Sequence, residues 1–209
     1  MSTTLQTLVN NLLTTFKKLI MTKLYNLLLL LAFCPIALNA QLEINGDITF
    51  PNGLPICNAL VELHNANGDI LAQDLSEADG TFTLSDLPAG TDYTLHFSKD
   101  GNPLNGTSTF DMVLIARRIL GIDPLQDYDV WIGDVNGSGT LTTLDMIFMR
   151  RLILNIDTEF PVPTWAFDEP QASAPDNQIS IASLTEDLTV DVIGVKRGDL
   201  NGSAQVNCD

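Results

Sequence analysis

The chain repeats itself, and the repeat constrains how its second half can fold. Residues Asp111–Asp123, DMVLIARRILGID, overlay Asp145–Asp157, DMIFMRRLILNID, at an offset of 34 residues with seven of thirteen positions identical. In each copy the apolar side chains recur at helical spacing, and an aspartate opens the stretch where the helix dipole favours negative charge. A short helix cannot bury its Met, Ile and Leu face alone. The two copies are therefore predicted to pack as a compact pair, each finding its apolar partner in its duplicate or in a neighbouring layer.

Upstream the period is two. Residues 42–98 read as LEINGDITF, ICNALVELHN, DILAQDL, GTFTLSDL and TDYTLHFS, with NGD, DG and PAG turns between them. This predicts an antiparallel β-sandwich. Val61, Leu63, Ile70, Phe82, Leu84, Tyr93, Leu95 and Phe97 fall at inward parity, and Glu62, Thr83 and Thr94 at outward parity. After the repeat, residues 158–196 read as a proline-broken loop carrying Trp165 and Phe167, then the strands ISIASL and LTVDVIGV. Trp165 is expected to pack on the helix pair, with sugar stacking as the alternative.

From Met21 the chain reads MTKLYNLLLLLAFCPIALNAQ, a lysine-bearing start, an apolar run and a small-residue end. That is the layout of a secretory signal peptide cleaved after Ala40. Pro35 interrupts the run and no basic flank follows it, so a transmembrane anchor is not expected to remain after removal. Residues 1–20 read as an upstream extension before a second start. Export leaves Cys57 and Cys208 in an oxidising compartment, where a disulfide between them is permitted; two unrelated thiols are the alternative. Of 10 basic residues three precede Gln41, so seven basic residues face all 26 acidic ones downstream. Such a surface repels nucleic acid and anionic lipid and suits divalent cations. Two histidines and no nucleophile–base set give no support for catalysis, and no enzyme activity is expected.

The chemistry concentrates in DVNGSGTLTTLD, Asp134–Asp145. Counted as a twelve-residue loop, it places Asp134, Asn136 and Ser138 at positions 1, 3 and 5, the Thr140 carbonyl at 7 and Asp145 at 12, with Gly139 at the sharp turn. A hard cation needs six or seven oxygens so arranged, which points to Ca²⁺. An Asn/Gly/Ser/Asp turn followed by a helix N-cap is the plain alternative. The first copy, DGNPLNGTSTFD, offers Asp100, Asn102 and Asp111 at positions 1, 3 and 12, but Leu104 at position 5 cannot ligate. A third fragment, GDLNGSAQVNCD, repeats the loop's start with Asp199, Asn201 and Ser203 and lacks a carboxylate at position 12.

Two resemblances follow from these residues. The proline-containing loop after the first strand, the N-A-x-V-x-L strand and DGTFTLSDLPAGTDYTL resemble carboxypeptidase regulatory-like, transthyretin-like modules, best matched at Asp79, Gly80, Phe82, Leu87, Pro88, Gly90 and Tyr93. That resemblance implies a non-catalytic accessory or spacer module. GDVNGSGTLTTLD feeding an amphipathic helix, over Lys99–Asp157, resembles the dockerin type I repeat. It implies calcium loops, a cohesin-like partner, and partner contacts at Thr109, Phe110, Thr143 and Leu144.

The expected architecture is thus an α+β multi-module chain: residues 1–40 extension and signal, 41–98 antiparallel β-sandwich, 99–157 dockerin-like pair of loop–helix units, and 158–209 a β-hairpin segment with a partial third loop. The expected role is a secreted or cell-surface calcium-binding module for assembly with an extracellular protein. A structural spacer, or a glycan-binding accessory piece of an extracellular hydrolase, is the alternative.

Overall fold

A computed structural model of the chain describes residues 13–14, 16–23, 41–170, 172–206 and 208. Residues 16–23 are helical, while the rest of the expected signal segment, from Leu24 to Ala40, lies outside the described residues. Among the described residues no helix is long and apolar enough to cross a membrane. Residues Ala40–Asp209 form one compact unit.

Its frame is a two-sheet β-sandwich. One sheet runs β4 (Thr81–Pro88), β1 (Gln41–Thr49), β8 (Leu188–Lys196), β6 (Trp165–Asp168); the other runs β3 (Ile70–Leu75), β2 (Leu60–Asn65), β5 (Thr91–Ser98), β7 (Gln178–Leu184). The two-residue period does what it should in β1, β2, β4 and β5. Leu42, Ile44, Ile48, Val61, Leu63, Phe82, Leu84, Tyr93, Leu95 and Phe97 meet in one core, which removes their apolar surface from water. Ile70 departs from this, being 52% exposed on the edge strand β3. The β2–β3 register shifts between Leu63 and His64, which sets Ile70 opposite His64 instead of an inward residue.

The expected C-terminal hairpin does not form as one. β7 pairs with β5 in one sheet, whereas β8 lies in the other between β1 and β6. β8 runs parallel to β1, with Ile44 opposite Leu188 and Thr49 opposite Ile193, so the sandwich is not purely antiparallel. The stretch read as a loop around Trp165 is strand β6. Trp165 packs into the sandwich core beside Phe50 and Phe167 rather than on the helices, and at 3% exposure it offers no face to a sugar.

Three helices are inserted between β5 and β6: α1 (Thr109–Ile119), α2 (Asp129–Gly133) and α3 (Thr143–Ile153). α1 and α3 are the two copies of the repeat, each opened by a capping box, Ser108 with Asp111 and Thr142 with Asp145. Ile115 of one copy and its equivalent Met149 of the other are fully buried in a second small core with Val135, Leu152 and Phe160. Each copy also closes with the same bidentate ion pair. Arg117 Nε and Nη2 donate to Asp123 at 2.6 and 2.8 Å, and Arg151 to Asp157 at 2.6 and 2.7 Å.

Cys57 and Cys208 are joined, with Cα atoms 5.5 Å apart.

Candidate metal centre

The loop Asp134–Asp145 begins as α2 ends and closes on the first turn of α3. Asp134 is 5% exposed and Asp145 fully buried. The Asp134 carboxylate folds the loop around itself: Ser138 N donates to Oδ1 at 3.0 Å and Gly139 N to Oδ2 at 2.6 Å. Gly139 makes this turn with φ at +77°, a conformation that suits a residue without Cβ. Ser138 Oγ donates to the Thr140 carbonyl at 3.1 Å. Asp145 Oδ2 accepts from Thr142 N at 2.8 Å, while Oδ1 faces the Asn136 amide at 2.6 Å. Burial raises the Asp145 carboxyl pKa, and the Asp134 charge adds to that rise. Asp134, Ser138 and Thr140 are thus joined by hydrogen bonds within the loop, and Asn136 is joined to Asp145.

The other two candidate loops behave differently. Asp100 and Asn102 are exposed, and Asn102 Oδ1 accepts only from Leu104 N in a local turn. Among the described residues no hydrogen bond joins either of them to Asp111, which is fully buried and accepts from Ser108 and Asn201. Its partner is the third fragment, some ninety residues on: Asn201 N donates to Asp111 Oδ1 at 3.0 Å. The fragment wraps its own aspartate as the first loop does. Ser203 N donates to Asp199 Oδ1 at 2.9 Å and Ala204 N to Oδ2 at 2.8 Å. Ser203 Oγ lies 3.3 Å from the Gly106 carbonyl, and Gly106 precedes Asp111 by the same five residues that separate Thr140 from Asp145.

The two halves therefore complete each other. Asp199, Asn201 and Ser203 stand in the register of positions 1, 3 and 5, and Gly106 O and Asp111 in that of positions 7 and 12. Gly106 is required here. Its φ is +78°, and a Cβ would lie 2.7 Å from the Asp199 carboxyl and from Ala204 N. Burial raises the Asp199 pKa, with the Asp111 charge contributing in the same direction. Leu200 packs against the helical core beside Val135, its counterpart in the contiguous loop. The sequence signal for this pairing was the twofold GDxNGS motif, but nothing local says that residues 199–203 return to α1.

Two consecutive buried cations stand between the sites. Arg197 Nη1 donates to the Asp134 carbonyl at 2.6 Å. Lys196 Nζ donates to the carbonyls of Pro103 and Arg197 at 2.9 and 3.1 Å. Burial brings the Lys196 pKa down to about 8, against the pull of Asp199 and Asp111.

Among the described residues no three His, Cys, Asp or Glu side chains form a group able to hold a metal. Each loop instead combines two carboxylates with amide, hydroxyl and carbonyl oxygens, a donor set that fits a hard cation and no soft one. The expected partner contacts Thr109, Phe110, Thr143 and Leu144 are all exposed at the helix starts. They belong to a duplicated apolar face: Phe110 and Leu144, Val113 and Ile147, Leu120 and Leu154, Ile122 and Ile156 are exposed at equivalent positions of the repeat.

No curated protein matches the chain. Among solved structures, the Bacillus anthracis TIE protein is similar at 16% identity over 29% of this chain and 12% of its own, with a TM-score of 0.26. BcpA, the major pilin subunit of Bacillus cereus, is similar at 22% identity over 30% and 19%, with a TM-score of 0.27. The pilus-presented adhesin Cpa is similar at 12% identity over 78% and 29%, with a TM-score of 0.28. The chain thus spans under a third of each, and at such TM-scores the likeness carries no argument. No dockerin family model matches. Residues 43–112, from β1 into α1, match the family model of the carboxypeptidase regulatory-like domain.

Proposed function

We propose that the chain is a non-catalytic, exported calcium-binding module for assembly with another extracellular protein, its helical insert acting as a dockerin-like pair. The observation that carries this reading is the split loop. Residues 199–203 and 106–111 reproduce the donor register of Asp134–Asp145 although they lie far apart in the chain, and each register closes on a buried carboxylate pair. Asp134, Asn136, Ser138, Thr140 O and Asp145 would hold one Ca²⁺. Asp199, Asn201, Ser203, Gly106 O and Asp111 would hold a second. The ion would supply positive charge beside the buried Asp145 and Asp199 carboxylates, whose pKa values burial raises, and would fix the starts of α1 and α3.

Export is supported by the disulfide, since such bonds persist in oxidising compartments. Assembly is supported by the exposed Phe, Leu, Ile and Val side chains that recur at equivalent positions of the two repeats. A spacer role has its own support in the carboxypeptidase regulatory-like match, and it differs in requiring no cation.

Calorimetric titration with CaCl₂ tests the reading. Two sites are expected, with dissociation constants on the order of 10⁻⁴ to 10⁻³ M given two carboxylates each. Asp134→Ala is expected to abolish one, and Asp199→Ala and Asp111→Ala each to abolish the other. Absence of heat together with an unchanged melting temperature in calcium and EGTA would leave the spacer.

A further inference from the structure

β6 is a short strand, and its shortness leaves part of β8 uncovered. Its register runs from Trp165 opposite Lys196 to Asp168 opposite Ile193 and stops there. The stop has a local cause. Asp168 turns its carboxylate back to accept from Glu169 N at 2.7 Å and Asp176 N at 3.3 Å, and Pro170, next in line, has no N–H to give a ladder. From Leu188 to Val192, β8 therefore has β1 on one side and, among the described residues, no strand on the other. In a parallel ladder alternate residues direct both backbone groups toward one neighbour, so this stretch carries donors and acceptors that the sheet does not use.

A cavity of about 590 Å³ lies along this open edge. Ile179 and Ile181 of β7 and Leu188 and Val190 of β8 give it apolar walls, and among the described residues its charged lining groups are the carboxylates of Glu169 and Asp191. The exposed arginines of the molecule, Arg117, Arg150 and Arg151, sit on α1 and α3 and do not line it. A second copy of this chain, with its net charge of −16, is repelled by such a rim.

We propose that this groove receives an extended peptide of about five residues, added to β8 as a continuation of β6, with alternating apolar side chains and Lys or Arg flanks. Five residues span about 17 Å, the length of the open edge. Main-chain bonds to β8 supply attachment, the four apolar walls select every second side chain, and the two carboxylates select the flanks. Neither candidate metal loop lines the groove, so this inference stands apart from the calcium reading.

The test uses the full chain and two synthetic peptides, a Val-Thr-Val-Thr-Val core flanked by Lys-Lys or by Glu-Glu. Hydrogen exchange read by mass spectrometry and fluorescence anisotropy are the readouts. The Lys-flanked peptide is expected to slow exchange in residues 188–192 and to bind about tenfold more tightly than the Glu-flanked one at low salt. The double variant Glu169→Lys/Asp191→Lys, at solvent-facing positions, is expected to reverse that preference. Equal weak binding of both peptides, protection at β3 instead of β8, or protection of 188–192 that grows with protein concentration without peptide would each overturn the proposal. The last of these would assign the groove to a second copy.

Discussion

His64 and His96, the only two histidines of the chain, lie on neighbouring strands with ring centroids 4.0 Å apart. Glu62 Oε2 approaches His64 Nε2 at 3.6 Å. Burial first, then the neighbouring ring, hold the His96 pKa below the ordinary 6.5, while Glu62 and Asp176 pull it upward. The unfolded chain thus takes up a proton near pH 6.5 that the folded chain accepts only at lower pH. Stability from this site is fully present above 6.5 and falls as pH drops through that window toward the lowered folded value. His96→Gln is expected to flatten the denaturation midpoint between about pH 7 and pH 5. An unchanged slope in that variant would place the dependence elsewhere. Residues of this kind were only partly legible. Alternation correctly put Val61 and Leu63 of β2 and Phe82 of the edge strand β4 inside, because the inner faces of both strands are covered by the opposite sheet. It failed for Ile70, because a register shift between Leu63 and His64 sets Ile70 opposite His64, and a shift in pairing is not visible in one strand's sequence.

At the scale of elements the duplication was the strongest signal, and both helices form where it stands. Their starts rest on Ser108 and Thr142, whose Oγ atoms accept from Phe110 N and Leu144 N at 3.2 and 3.3 Å while Asp111 and Asp145 reach back to the cap N–H groups. Ser108→Ala and Thr142→Ala are each expected to cost about 1 kcal/mol in urea denaturation with EGTA present, so that no cation contributes. A loss well below that in both would mean that tertiary packing, not the cap, fixes the helix starts. What could not be read was which loop serves which helix. The first copy reads in sequence as its own loop, with Asp100 and Asn102 ahead of Asp111, yet Leu104 occupies a position that needs an oxygen. In the fold it is Asn201, between Asp199 and Ser203, whose N–H donates to Asp111. β6 was illegible for a related reason. Its four residues are too few for a periodic signal, and they pair with Val195 and Gly194 of β8, beyond the intervening β7.

For the molecule as a whole the decisive fact is that the sandwich is not finished by residues 41–98. Its sheets close only when β6, β7 and β8 return after the helical insert, β8 beside β1 and β7 beside β5, so most of its order depends on pairings distant in sequence. Such topologies close long loops before contacts reward them and fold slowly. The bond between Cys57 and Cys208, 151 residues apart, acts on this cost directly. It shortens the unfolded chain's reach and holds the segment carrying Asp199, Asn201 and Ser203 near Asn105, which exchanges two hydrogen bonds with Gln205 at 2.8 and 3.0 Å. Loop-closure entropy for a link of that span amounts to about 5 kcal/mol at its upper end. Cys208→Ser, or reduction of the native chain, is therefore expected to lower the denaturant midpoint by several kcal/mol equivalent with little change in secondary structure at low denaturant. Hydrogen exchange should localise the early loss to residues 199–206 and the start of α1, leaving the Asp134–Asp145 loop protected, because only the split loop depends on the tether. If the contiguous loop loosened equally on reduction, the helical insert would have to open as a single unit, and the tether would be holding the pair of helices together instead of one loop.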